Sequence, residues 1–234
     1  MNLFYSPNIV EPISTLSEEE SKHIIRVLRK TVGDVVFFTD GKGYNYKCII
    51  VDANSKKCVI EITEKTIGKD KRDIILQIAI APTKNITRYE WFLEKSTEIG
   101  IDIITPIICF HSERKEIKTE RLNKVITSAI KQSLKSHHPK LTEKIKFNVL
   151  IKAPFDGQKF IAYIDEDVTL ELSKAYTSGE NALVLIGPEG DFSPEEVTMA
   201  KENGFIPVSL GKSRLRTETA GIVACHTISL LNDI

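Results

Sequence analysis

The chain has 234 residues, 41% of them hydrophobic and 27% charged, which is typical of a folded globular protein and excludes the disordered and fibrous classes. Its 32 basic residues balance 32 acidic ones, so a nucleic-acid site could only be a local patch. The four cysteines have neither metal-site nor disulfide-framework spacing. Without a signal-like start or a long apolar run, we expect a cytoplasmic protein with no membrane partner and no metal.

Charge is unevenly distributed along the chain. Residues 112–140 carry eight Lys or Arg against three Glu, a local net charge of +5. Residues 163–204 carry ten acidic residues against two Lys, a local net charge of −8. The neutral average therefore hides a basic central segment and an acidic later one.

Residues 1–70 are predicted to form a small β-barrel with one helix. Ser17 and Glu20 make a capping box that opens the helix, and Asp40-Gly41 is a hairpin turn between strands. The polar segment 65–73 predicts a domain boundary. Runs of β-branched and aromatic residues indicate strands at 35–39, 44–51 and 58–64.

Residues 74–234 alternate strands with helices, which predicts an α/β domain with a doubly wound, mostly parallel sheet. The predicted strands are 74–81, 103–109, 160–165, 182–186 and 207–209. The predicted helices are 87–99, ended by Gly100, and then 119–135, 193–203 and 217–231. We expect Trp91 and Phe92 in the core of this domain.

A glycine-rich turn follows the strand at 182–186. The segment Leu185-Ile-Gly-Pro-Glu-Gly-Asp-Phe-Ser-Pro-Glu-Glu196 leads from that strand into a helix capped by Ser193. Ligands of open α/β sheets bind at the carboxyl ends of strands, although the turn could equally be a tight strand–helix connection. The pattern is neither G-x-G-x-x-G nor a P-loop, which disfavours a dinucleotide or a nucleoside triphosphate.

A second turn of the same kind follows the strand at 207–209. The segment Leu210-Gly-Lys-Ser-Arg-Leu-Arg-Thr-Glu-Thr-Ala220 places Arg214 and Arg216 just before a helix, where cations oppose the helix dipole. That unfavourable placement indicates function rather than helix stability. Two such turns in one sheet predict a ligand crevice between them.

These two turns resemble the RsmE family, bacterial 16S ribosomal RNA uracil-N3 methyltransferases of the SPOUT superfamily. Further resemblance lies in Lys84, in the Glu94-Lys-x-x-Glu98-Ile-Gly100 helix end and in Gln132-Ser133 before Pro139. The segment His23-x-x-Arg26-Val-Leu-Arg29 is similar to the family's PUA-like domain.

The sequence departs from the family pattern at three places. Asp191 replaces a usual Gly, and Ser213-Arg214 stands where Arg-Ile is common. Lys135 stands where Arg is frequent, which keeps the positive charge but loses the guanidinium group that can bind a phosphate in a bidentate manner.

The resemblance implies an N-terminal PUA-like small β-barrel and a C-terminal SPOUT α/β domain with a deep trefoil knot. It also implies a homodimer that uses S-adenosylmethionine to methylate a specific uridine in 16S rRNA of the 30S subunit. The implied cofactor-binding residues are Leu185, Ile186, Gly187, Glu189 and Gly190 on the first turn, with Leu210, Gly211, Ser213, Arg214 and Leu215 on the second.

Methylation at N3 requires removal of the imide proton and stabilisation of the resulting base anion. Arg216 is the candidate for stabilising that anion, since a planar cation there would face the developing charge. Glu218 or Glu189 is the candidate proton acceptor. The alternative for Glu218 is stabilisation of the helix N-terminus.

To act on a flipped-out base, the protein must also bind the RNA backbone. The predicted helix 119–135 has a basic face formed by Arg121, Lys124, Lys131 and Lys135. The alternatives are that this face is merely solvated and that His23 is structural. The candidate RNA-binding residues are His23, Arg26, Arg29, Lys30, Lys84, Arg121, Lys124, Lys131 and Lys135.

Two other functions fit the same sequence. The protein could be a SPOUT methyltransferase acting on another nucleotide or on a ribose 2′-hydroxyl. It could also be a noncatalytic RNA-binding factor in which Asp191 blocks the cofactor. The last helix has more apolar residues than one sheet face needs to cover, which predicts dimerisation; they are Ile222, Val223, Ala224, Ile228, Leu230 and Leu231.

Overall fold

A computed structural model describes residues 2–70, 73–165 and 167–232, which form two compact units. Unit 1 is Met1–Lys71 with Thr127–His138, and unit 2 is Arg72–Ile126 with Pro139–Ile234. The sequence analysis placed residues 127–138 in the second domain, but they pack with unit 1. The boundary predicted at 65–73 includes Lys71 and Arg72, which lie outside the described residues.

Unit 1 is built on a five-stranded sheet. Its strands are β1 (Leu3–Tyr5), β2 (Ile13–Thr15), β3 (Val35–Thr39), β4 (Tyr44–Asp52) and β5 (Val59–Ile67). The order is β1-β3-β4-β5-β2, with β1 parallel to β3 and the other pairs antiparallel. The described pairings therefore place β1 and β2, which the sequence analysis did not predict, at the two edges.

One short helix and the segment 127–138 complete unit 1. Helix α1 (Glu18–Lys22) continues into a π-helical turn, and the Ser17 hydroxyl accepts the Glu20 N–H as the predicted cap requires. The core lies between this helix and the sheet, around Phe4, Ile24 and Phe38. Thr39 Oγ1 donates to the Ser136 carbonyl at 3.0 Å, which ties the later segment to the sheet.

Unit 2 contains a parallel sheet, as predicted. Its strands are β6 (Leu76–Ile80), β7 (Ile103–Ile108), β8 (Lys140–Leu141), β9 (Ile145–Lys146), β10 (Gln158–Ala162), β11 (Ala182–Ile186) and β12 (Ile206–Val208). The order is β12-β10-β11-β6-β7-β8, and β9 also pairs with β7. Every residue of β11 is buried, because this strand is covered on both faces.

The helices are α2 (Ile86–Ile99), α3 (Thr119–Ser133), α4 (Phe147–Leu150), α5 (Leu172–Ala175), α6 (Pro194–Glu202) and α7 (Thr217–Leu230). Helix α2 starts earlier than predicted, because the Asn85 side chain accepts the Thr87 N–H and caps it. Gly100 ends this helix at φ 107°. Among the described residues, no helix has the length and apolarity needed to cross a membrane.

Two hydrophobic clusters lie on opposite faces of the unit 2 sheet. Ile78 and Val184 belong to one cluster and their neighbours Ala79 and Leu185 to the other, as the alternation of strand side chains requires. Phe92 is fully buried, but the prediction for Trp91 is wrong, since 44% of its surface is exposed.

Candidate functional site

A cavity of about 770 Å³ lies in unit 2 at the carboxyl ends of β10, β11 and β12. Strand β10 pairs with β11 on one side and with β12 on the other, so the loops that follow all three strands meet at one edge. The cavity is lined by parts of segments 162–171, 186–191 and 208–220. The two turns singled out in the sequence therefore face one another across it.

Eight of the ten residues proposed for the cofactor line this cavity, and two do not. Leu185 is buried in a hydrophobic cluster beneath it. A Cβ on Gly190 would lie 3.0 Å from His111 Cβ, so this glycine allows a close approach of His111. The eight lining residues are Ile186, Gly187, Glu189, Leu210, Gly211, Ser213, Arg214 and Leu215.

The sequence analysis missed a third wall, the loop after β10. It contributes Tyr163, Ile164, Asp165, Val168, Thr169 and Glu171. The strand was predicted, but its place between β11 and β12 was not. The acidic residues that directly follow the strand could have indicated this loop, because such residues are unfavourable in a buried strand.

Asp191 connects two walls of the cavity. Its backbone is left-handed, at φ 62°, a conformation that Asp adopts more readily than most residues. The carboxylate accepts the Phe192 N–H at 2.8 Å and the Ile164 N–H at 3.4 Å. It lies on the cavity wall and leaves the cavity open, which weakens the interpretation that it blocks a cofactor.

The surroundings of Asp191 shift its protonation equilibrium toward the neutral form. Burial raises the pKa of this carboxyl, while the two backbone N–H groups and the nearby Arg214 and His111 side chains oppose the shift without cancelling it. His111 Nδ1 also lies 3.0 Å from the Asp191 carbonyl oxygen. The site therefore holds a carboxyl whose protonation is sensitive to nearby charge.

Arg214 and Arg216 both lie at the mouth of the cavity with exposed side chains. Arg216 is the N-cap residue of α7 but makes no side-chain capping bond. Within the described part of the chain, neither guanidinium forms an ion pair with a carboxylate. These two cations are therefore available to an anionic ligand.

A second, smaller cleft adjoins the cavity and shares Arg214, Leu215 and Arg216 with it. We call it the Trp91 cleft. Its full lining is Asn85, Thr87, Arg88, Trp91, Arg214, Leu215, Arg216, Glu218 and Thr219.

The two candidate proton acceptors occupy different places. Glu189 lines the cavity, where its Oε1 accepts the Lys84 N–H at 2.9 Å. Glu218 lines the Trp91 cleft, with Oε1 3.8 Å from Arg88 Nε. Its Oε2 is buried and has no hydrogen-bond partner among the described residues.

Most candidate RNA-binding residues of unit 2 and of α3 are paired with acidic residues. Arg121 forms a bidentate pair with Glu90 at 2.6 and 3.2 Å. Lys131 lies 2.6 Å from Glu20. Lys84 pairs with Glu113 at 2.8 Å and Lys124 with Glu120 at 3.4 Å. The basic face of α3 thus carries less free charge than its sequence indicates.

The candidates in unit 1 are more accessible. The exposed Arg26 donates to Ser55 Oγ, and Arg29 is exposed with a left-handed backbone at φ 55°. Lys30 lies 3.8 Å from Asp34. The centres of the His23 and Phe4 rings lie 5.7 Å apart in an edge-to-face arrangement, which supports a structural role for His23. Lys135 is half-buried.

A metal site is not evident in the described ranges 2–70, 73–165 and 167–232. They contain no group of three or more His, Cys, Asp or Glu side chains placed to hold an ion.

Two family models match the chain. The model described as an RNA methyltransferase domain matches residues 70–229, and the model described as an RNA methyltransferase PUA domain matches residues 16–63. The first match alone spans more than half of the chain and includes every residue of the cavity.

Known proteins similar over nearly the whole chain carry related names. Ribosomal RNA small subunit methyltransferase E of Aquifex aeolicus is 30% identical, covering 94% of this chain and 95% of its own length. A crystal structure of a probable rRNA-methyltransferase from Porphyromonas gingivalis is 44% identical with a TM-score of 0.92, covering 100% of this chain and 99% of that one.

A methyltransferase from Legionella pneumophila solved with the bound cofactor S-adenosylmethionine is also similar. It is 25% identical with a TM-score of 0.88, covering 98% of this chain and 97% of that one.

Proposed function

This chain belongs to the ribosomal RNA small subunit methyltransferase E family, and we propose that it transfers the methyl group of S-adenosylmethionine to N3 of a specific uridine in 16S ribosomal RNA. The observation that carries the proposal is the cavity formed where β10, β11 and β12 end, because both turns that resemble the RsmE family line it. The 30S subunit or its RNA is the proposed partner.

The cavity suits S-adenosylmethionine in size and in charge. Its volume of about 770 Å³ lies in the range of small-molecule sites, roughly 300–1,000 Å³. Val208, Leu210 and Ala220 offer apolar contact to an adenosine, while Glu189 offers a carboxylate to an ammonium or a sulfonium. Arg214, which also lines the cavity, would bind the carboxylate of the cofactor. When bound, the cofactor supplies an electrophilic methyl group.

Residues of the chain would deprotonate the uracil and stabilise the resulting anion. A carboxylate, Glu218 or Glu189, takes the N3 proton, and the freed N3 electron pair forms the new bond to the methyl carbon. The electrons of the broken carbon–sulfur bond remain on sulfur. Arg216, exposed and without a carboxylate partner among the described residues, would stabilise the negative charge on the uracil oxygens.

The RNA backbone would be held by cations that the protein does not already neutralise. Arg26 and Arg29 of unit 1 meet this condition best, and Lys30 and Lys135 contribute more weakly. Lys84, Arg121, Lys124 and Lys131 could reach phosphate only by leaving an acidic partner.

We also propose that the protein is a homodimer that uses α7. Ala224 and Ile228 of this helix are buried in the core, as the sequence analysis expected of an apolar helix. Ile222 and Val223 are only partly covered, and 61% of the Leu230 surface is exposed. A second copy would remove these side chains from water.

The proposal is tested by analysis of modified nucleosides. Mass spectrometry of 16S rRNA from cells with and without the gene should show one 3-methyluridine that disappears with the gene. Purified protein should restore it on 30S subunits when S-adenosylmethionine is added. A different lost nucleoside would change the target, and calorimetry without cofactor binding would favour a noncatalytic RNA-binding factor.

A further inference from the structure

We propose that the Trp91 cleft is the subsite for the target nucleotide, in which the uracil stacks on the Trp91 indole and donates its imide N–H to Glu218. The inference rests on the proposed function and names the place where its RNA substrate binds. Neither the comparisons nor the cofactor cavity assigns a role to Trp91, Arg88 or this cleft.

Two tightly packed helices build the cleft. Arg88 and Trp91 are three residues apart and share one face of α2, while Glu218 and Thr219 lie in the first turn of α7. A Cβ on Gly221 would lie 2.7 Å from the Phe92 ring, so glycine lets the two helices approach closely. The cleft therefore sits on a rigid base, as a positioning site requires.

The cleft is electropositive, which suits a nucleotide phosphate. The N-cap residues of α2 and α7, Asn85 and Arg216, both line it, so the positive ends of two helix dipoles meet there. Arg88 and Arg214 add guanidinium groups. An anion bound here would meet helix dipoles and planar cations together.

Glu218 supplies an independent sign of a missing ligand. Its side chain is only 7% exposed, and Arg88 approaches one carboxylate oxygen. The other oxygen, Oε2, is buried with no hydrogen-bond donor among the described residues, a costly arrangement for a carboxylate. The imide N–H of uracil is a donor that would satisfy this oxygen and then pass its proton to it.

Trp91 supplies the surface on which a base stacks. It is a large apolar side chain with 44% of its surface exposed, beside the cations of the cleft. Stacking on an indole is the usual way in which proteins hold an unpaired base. Because Arg214, Leu215 and Arg216 line both the cleft and the cavity, a base held here would lie next to the bound methyl donor.

The protein carries its own probe of this inference, since Trp91 is its sole tryptophan. Uridine 5′-monophosphate, and separately a short oligouridylate, are titrated into the full chain saturated with S-adenosylhomocysteine while tryptophan emission is recorded. We expect saturable quenching. Arg88→Ala should weaken it, whereas Lys201→Ala, which removes an exposed cation of α6 outside both the cleft and the cavity, should leave it unchanged.

Methyl transfer to 30S subunits separates the parts of the cleft. Trp91→Ala should raise the KM for RNA by roughly 5- to 150-fold, the effect of losing one stacked base, and Trp91→Phe should restore most of it. Phe110→Ala is the matched control, because Phe110 is 75% exposed in the same unit but outside the cleft. Glu218→Gln should lower kcat while the quenching persists.

Two results would overturn the inference while leaving the proposed function intact. One is wild-type methyl transfer by Trp91→Ala at an unchanged KM. The other is emission that responds to dilution of the protein but not to nucleotide, which would show that a second copy covers Trp91. If the wild-type protein binds the nucleotide, with quenching of tryptophan emission, but transfers no methyl group to rRNA, the proposed function is wrong.

Discussion

Lys131 Nζ lies 2.6 Å from Glu20 Oε1 within unit 1, and the two side chains are only 23% and 12% exposed. Lys131 also lies 5.9 Å from the centre of the Phe4 ring. A carboxylate this shielded is costly to leave without a partner. The pair therefore indicates that Lys131 stabilises unit 1, although the sequence made it a candidate for RNA contact.

Lys131→Ala is expected to lower the free energy of unfolding by about 1–3 kcal/mol, because Glu20 would lose its charged partner. Thermal unfolding followed by circular dichroism measures the change. Lys124→Ala is the matched control, since Lys124 is 70% exposed and pairs with Glu120 one turn away. Wild-type stability of Lys131→Ala, together with a reduced salt slope of RNA binding, would assign Lys131 to the RNA instead.

Arg216→Ala is expected to reduce the methyl-transfer rate by about 10²- to 10³-fold, the range for losing one donor that stabilises a developing anion. Affinity for S-adenosylmethionine, measured by calorimetry, should change little. Arg216→Lys should recover only part of the rate, because an ammonium lacks the planar fork. If the Arg216→Ala enzyme is fully active, Arg214 or backbone amides must stabilise the uracil anion instead.

Gly187→Ala is expected to weaken both the fold and cofactor binding. A Cβ there would lie 3.1 Å from Asp191 Oδ1 and 3.2 Å from two atoms of Phe192, so the first turn itself must move. Overpacking of this kind costs about 1–3 kcal/mol. Ser213→Ala, which also alters the cavity wall, should leave the melting temperature unchanged. A Gly187→Ala protein of normal stability and affinity would contradict the tight packing of the turn.

Asp191→Asn is expected to change how stability depends on pH. Because burial raises the pKa of Asp191, the folded protein binds this proton more readily than the unfolded chain does. The resulting stabilisation is present below the unfolded pKa of about 3.9 and is lost as the pH rises through the folded value. Melting temperatures from pH 4 to 7 should therefore fall for the wild type relative to Asp191→Asn. Parallel curves would show that Asp191 titrates normally.

Leu230→Asp is expected to convert a dimer into a monomer, since a carboxylate at the exposed end of α7 would be desolvated at an interface. Light scattering at micromolar concentration measures the mass. Val149→Asp is the control, because Val149 is 53% exposed on α4. A wild-type monomer would argue against the proposed homodimer.

The amino-acid sequence by itself determined the features set by local physical chemistry. The capping box at Ser193, the helix end at Gly100 and the strand at 182–186 are all present as predicted. Each of these features depends on residues that are close together in the chain. The local sequence pattern is therefore enough to predict it. The facing of the two turns was likewise predictable, because carboxyl ends of parallel strands share one edge.

Only the tertiary structure decided which distant residues meet. It placed β10 between β11 and β12 and so added a third cavity wall, and it brought residues 127–138 into unit 1. It paired Lys131 with Glu20 and left Trp91 exposed beside Glu218, although the sequence indicated RNA contact or solvation for Lys131 and a core position for Trp91. The physical reason is that ion pairing and solvent exposure depend on what packs against a helix face, which the periodicity of that helix does not encode.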